Sequence, residues 1–150
     1  MAQAEAKLVY PGLAGFYQKM LPIAATLVRV VVGIMFLMHV SAKYKAGADA
    51  IAANIFSKNG VEPALLLVYV VMFLETVGGA CLVVGLFTRF FAAALAIEML
   101  VALIFVHFQK GYAIGGGGYE YVLLIGAACF AIAMRGGGPY SVDRFLGKEL

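Results

Sequence analysis

Six ionisable residues lie inside runs apolar enough to cross a bilayer: Arg29, His39, Glu75, Glu98, His107 and Glu120. A charge at the centre of a membrane helix costs about 2.5–3.5 kcal/mol on the gentlest scale, so such residues mark candidate sites for protons, ions or redox ligands. Counted inward along their runs, they sort into two layers. Arg29, Glu75 and Glu98 all fall roughly 12–17 Å deep at a rise of ~1.5 Å per residue. One guanidinium between two carboxylates is either a staple joining three helices or a cluster able to hold and release a proton. The residue types allow both.

The second layer lies at the opposite side. His39 and Lys43, one turn apart, close the first run; His107 closes the third, and Tyr119 and Glu120 open the fourth. Histidine exchanges protons near neutral pH. Two imidazoles and a carboxylate converging at headgroup depth could hydrogen-bond a quinone and pass protons as its ring is reduced or oxidised. On that reading His39, His107 and Glu120 are catalytic, and His39, Lys43, His107 and Tyr119 contact the ring. The plainer reading is a pair of interfacial histidines bonded to backbone and water. A haem b between His39 and His107 is geometrically conceivable but has no other support. Neither a haem nor a metal is expected, since His39, His107 and Glu120 follow no metal-site spacing. Cys81 and Cys129 sit in apolar runs and read as small buried hydrophobes rather than a redox pair. Gly115 to Gly118 lack the strand and Lys-Ser/Thr ending of a phosphate cradle, and suit a loop or lid over the histidine layer.

The elements that must position these residues are helices. Mean hydropathy is +0.98, with 64% of residues hydrophobic and 13% charged, against roughly 25% charged in a soluble domain. Spanning takes about 20 apolar residues, and runs at 21–42, 64–87, 90–108 and 119–134 qualify, the last only narrowly. The first run lacks a small-residue cleavage site and reads as a span rather than a leader. The turn at Phe87-Thr88-Arg89 makes the second and third helices antiparallel neighbours, and Gly136-Gly137-Gly138-Pro139 stops the fourth. Residues 1–20 mix Tyr10, Phe16 and Tyr17 with Lys7 and Lys19, the profile of a headgroup-lying segment. Residues 147–150 form a tail. Lys7, Lys19, Arg89, Arg135, Arg144 and Lys148 collect on one side, against Lys43, Lys45, Lys58 and Lys110 on the other. That bias puts both termini in the cytoplasm. A net charge of +3, spread between segments, argues against nucleic-acid binding. The expected fold is all-α, an integral membrane four-helix bundle with short loops.

Several local patterns together resemble the DoxX family. They are Arg29-Val30-Val31-Val32-Gly33 running on to Phe36-Leu37-Met38-His39 and Lys43, and Leu74-Glu75 with Gly78-Gly79. Gly85-Leu86-Phe87-Thr88-Arg89, Gly117-Gly118-Tyr119-Glu120-Tyr121 and Tyr140-Ser141-Val142-Asp143-Arg144 complete them. The resemblance covers residues 21–146, with Val40 where the family usually has glycine. It implies a multi-pass bacterial inner-membrane protein similar to the DoxD subunit of thiosulfate:quinone oxidoreductase. The function it points to is a membrane subunit of a quinone-linked oxidoreductase, fed by a partner protein or a sulfur or thiol donor. The other reading is a non-enzymatic accessory or assembly subunit of a larger membrane complex, and a protein partner or a homo-oligomer is expected.

Overall fold

A computed structural model describes residues 8–149; residues 1–7 and residue 150, which include part of the expected interfacial segment and tail, lie outside them. Among the described residues the chain is helical, with no strand. One 3-10 turn over Pro11–Leu13 leads into α1, Ala14–Ala46. Pro22 sits inside α1, where Thr26 donates its hydroxyl to the Pro22 carbonyl at 2.9 Å. A short helix, α2 (Ala48–Ile51), and a π-turn fold the first loop over the bundle end.

The second long helix is broken by a π-turn: α3, Ala64–Phe73, continues through Leu74–Gly78 into α4, Gly79–Val84. After a turn with Gly85 and Phe87 in the left-handed region, α5 runs over Thr88–Ala102 and extends through a π-turn that ends at His107. The next α-helix, α6, covers Glu120–Arg135, and α7, Val142–Leu146, is the last helix among the described residues.

Three helices, Pro11–Ala46, Ala64–Val84 and Thr88–Lys110, are long and apolar enough to cross a membrane. Large apolar side chains along all three, among them Leu27, Ile34, Leu66, Phe73, Ile97 and Ile104, face outward. A water-soluble fold would bury them; a bilayer solvates them. The chain is therefore a membrane protein. The fourth helix, α6, is 16 residues and about 24 Å long, under the ~30 Å hydrocarbon thickness. It lies antiparallel along α5, since Arg89 at the start of α5 bonds the carbonyls of Ala133 and Met134 at the end of α6.

Packing between α1 and the second long helix depends on Gly33. A Cβ there would stand 2.7 Å from the Gly79 carbonyl oxygen and 2.9 Å from the Val83 nitrogen, so the backbones touch. Small residues permit that approach, and lipid, as apolar as leucine, supplies no other drive for helices to meet. The same contact sets the register of the pair. Val32, Phe36, Leu82, Leu95, Ile125 and Cys129 form the central core; Val40, Ile51, Ala64, Val68 and Met72 form a second cluster under the first loop.

Candidate functional site

The π-turn carries Glu75 to the middle of the bundle, where it is 2% exposed. π-Turns are rare and often mark functional positions, because the extra residue re-aims side chains that an α-helix would point elsewhere. Lys43 of α1 donates to Glu75 Oε1 at 2.5 Å. Glu75 Oε2 is buried without a hydrogen-bond partner, and so is Glu98 Oε2 on α5. The two carboxyls are near enough to interact electrostatically. One ammonium and two carboxyls thus meet in the interior of the bundle.

Beside them is a small cavity of about 30 Å3, lined by Met35, Phe36, His39, Glu75, Met99, Tyr121 and Ile125. A space of that size holds one or two waters. Its outer wall is an aromatic pair. The His39 ring stacks on Tyr121 with centroids 5.6 Å apart and planes at 22°, and His39 Nε2 lies 3.3 Å from the Tyr121 hydroxyl. His39 is exposed at the surface of the bundle, while Glu75 is buried behind it. From surface to interior the side chains run as imidazole, phenol and carboxyl pair, with the small, mostly apolar cavity between them. All of these groups can exchange protons.

Arg29 is elsewhere. Its guanidinium donates to the carbonyls of Leu82, Val83 (3.0 Å) and Tyr140 (2.8 Å), and among the described residues no carboxylate bonds it. The register explains this. With Gly33 opposite Gly79, Glu75 falls level with residue 37, about 12 Å along α1 from Arg29. Side chains also lean toward the helix N-terminus, which carries Arg29 further away and brings Lys43 back to Glu75. The expected Arg29–Glu75–Glu98 trio is thus replaced by Lys43–Glu75–Glu98, and Arg29 ties α1 to the end of α4 and to the chain after α6.

The second expected layer is also divided. His107 Nδ1 pairs with the Gly117 carbonyl at 2.7 Å, and Glu120 accepts the Ile114 amide at 2.7 Å. Tyr119 stacks on Phe108 and meets Tyr112 edge-on. These residues close the 111–119 loop onto itself, and no hydrogen bond joins them to His39. Cys129 is buried in the central core and Cys81 is half-buried, both as free thiols.

Two further residues shape the site and its frame. Tyr121 forms half of the His39 wall; its place in Gly-Gly-Tyr-Glu-Tyr was the available signal. Asp143, 1% exposed, accepts the amides of Phe87 (2.7 Å) and Thr88 (2.9 Å) and so caps the start of α5 from a distant segment.

Comparison with known proteins agrees with this architecture. The profile of the family described as DoxX matches residues 24–108. A Haemophilus influenzae protein named "Uncharacterized protein" is 33% identical over 138 residues, covering 88% of this chain and 97% of its own. A Bacillus subtilis protein named "Putative oxidoreductase CatD" is 27% identical over 130 residues, covering 87% and 92%. No solved structure matches the chain. The family match spans more than half of the sequence, and the chain belongs to the DoxX family.

Proposed function

We propose that this protein is the membrane subunit of a quinone-linked oxidoreductase in the bacterial inner membrane. On this reading all four long helices cross the bilayer as one bundle, with both termini cytoplasmic. The observation that carries the proposal is the exposed His39–Tyr121 pair backed by a buried carboxyl pair whose two free oxygens have no partner. The Bacillus subtilis relative's name, which says oxidoreductase, is consistent with it.

The inner cavity is far smaller than the ~300–1,000 Å3 of ligand pockets. The quinone ring therefore docks on the lipid side of His39 and Tyr121, and only protons move inward. His39 or the Tyr121 hydroxyl hydrogen-bonds one ring carbonyl. Lys43, its side chain partly exposed, holds Glu75 in place as counter-charge. One cation against two carboxyls leaves a negative charge that a proton shared between Glu75 and Glu98 would cancel. That shared proton is the one exchanged with the ring through His39. His107, Tyr119 and Glu120 order the neighbouring loop rather than touch the ring.

Reduction of the quinone takes two electrons and two protons. A dithiol or two thiols would supply both: two S–H bonds break, one S–S bond forms, and each ring oxygen gains one hydrogen. A partner protein carrying electrons alone would leave both protons to the carboxyl pair and solvent. The test is organic extraction of gently purified protein with mass spectrometry of the extract. Stoichiometric quinone, lost on His39→Ala, supports the reading. A stoichiometric partner protein with no quinone overturns it in favour of an accessory subunit.

A further inference from the structure

The end of the bundle away from His39 holds an apolar groove that this chemistry does not use. It measures about 580 Å3 and is lined by Phe87, Phe90, Ala93, Ala133 and Met134, with Arg89 among its walls. That volume suits a small ligand or a lipid chain. Phe87 forms part of the groove at φ 47°, a left-handed conformation that non-glycine residues rarely adopt. Positions held this way tend to occur at ligand clamps, where the surroundings over-determine them; here the Asp143 carboxylate fixes the Phe87 amide.

Polar groups meet at one edge of the groove. Arg89 donates from Nη1 to the carbonyls of Ala133 and Met134, and from Nε to Glu149 Oε2 at 2.8 Å. Nη2 makes one long bond, 3.3 Å, to the Arg135 carbonyl. Glu149 therefore fills an anion seat over Arg89, next to Gly136. Arg135, Arg144 and Lys148, all exposed, lie on the same stretch of chain, with Lys148 next to Glu149. Arg135 also reaches back to the Leu21 carbonyl at 3.5 Å, two residues after Lys19. Among the described residues of this segment, Asp143 is buried and committed to the amides of Phe87 and Thr88.

We infer that this groove binds an anionic phospholipid of the surrounding bilayer. One acyl chain lies along Phe90, Ala93 and Met134, and the phosphate takes the Glu149 position over Arg89, beside Arg135. Charge complementarity selects the headgroup, and the position at a bundle end places it at headgroup depth. Glu149 acts as an internal competitor that closes the seat when no phosphate is present.

The experiment is native mass spectrometry of the full chain released from micelles. The micelles contain equal phosphatidylglycerol and phosphatidylcholine with identical chains. Wild type should retain phosphatidylglycerol about fivefold over phosphatidylcholine, the effect of roughly one basic contact. Arg135→Gln should erase that preference and Glu149→Gln should increase it. Ala93→Leu should lower retention of both lipids by filling the groove, with circular dichroism confirming that each variant is folded. Equal retention of the two lipids by wild type would overturn the inference, as would full retention by Ala93→Leu. So would loss of the preference to inorganic phosphate alone, which would make a free anion the ligand. A bound protein displaced by Ala93→Leu, with no lipid adduct, would assign the groove to a partner instead.

Discussion

Replacing Asp143 with alanine should destabilise the bundle more than any other change outside the membrane spans. The carboxylate is 1% exposed, and each oxygen accepts one amide of the α5 start, Phe87 at 2.7 Å and Thr88 at 2.9 Å. These are charge-assisted bonds at a helix N-terminus, where orphan amides and the helix dipole both favour an anion. Hydrogen bonds to charged groups contribute about 1.5–3 kcal/mol each, so removing two gives an upper figure of about 3–6 kcal/mol. Water entering the cavity at the bundle end would recover part of that, which leaves about 3 kcal/mol. The strained Phe87 backbone also loses the contact that holds it. For a chain of this size each kcal/mol moves Tm by about 2–4 °C, so a fall of about 6–12 °C is expected. Asparagine keeps one acceptor and should lose about half as much. The assay is thermal unfolding in detergent by far-UV circular dichroism, with exposed Arg144→Ala as the unaffected control. An Asp143→Ala variant that melts with wild type would refute the capping argument.

Three further outcomes follow from the same geometry. Arg29→Leu orphans the carbonyls of Leu82, Val83 and Tyr140 and should cost about 2–4 kcal/mol in chemical unfolding, while folded protein retains any bound quinone undiminished. Gly33→Ala drives a methyl into the Gly79 carbonyl and should cost about 1–3 kcal/mol, visible as a lower unfolding midpoint. Glu62, on the loop before α3, is held below the usual carboxylate range by hydrogen bonds from the Ser57 side chain and the Ala64 amide. Because its folded value is depressed, this cap is intact above the ordinary glutamate range and is lost only as pH falls through the lowered value. The Ala64 amide shift in an NMR titration should report that late transition.

How far the sequence could be read depends on which physical scale a feature lives on. The long helices were legible because a run of about twenty apolar residues has few other uses. Their ends were not: α1 starts before residue 21, and the α3–α4 and α5 helices pass through π-turns that no spacing announces. The residues of the central site were visible as buried charges, and Glu75, Glu98, Lys43 and His39 do share one region. Depth measured from loop ends groups Arg29 with Glu75, whereas the Gly33–Gly79 contact sets the register and brings Lys43 to Glu75 instead. His107 and Glu120 matched His39 in depth only. Their partners are a backbone carbonyl and a backbone amide in the glycine loop, and main-chain partners leave no trace in side-chain patterns. Outside the Gly-Gly-Tyr-Glu-Tyr pattern, Tyr121 gives no local signal of its role, because its ring partner His39 lies 82 positions away.

The most direct measurement is quinone content per protein after gentle purification of wild type, His39→Ala, Tyr121→Phe and His107→Ala, with each variant checked for folding. The account predicts stoichiometric quinone in wild type, strong loss in His39→Ala, weakened retention in Tyr121→Phe and wild-type retention in His107→Ala. Quinone retained by His39→Ala but lost from His107→Ala would contradict it and move the site to the glycine loop. No quinone in folded wild type would contradict the oxidoreductase reading itself.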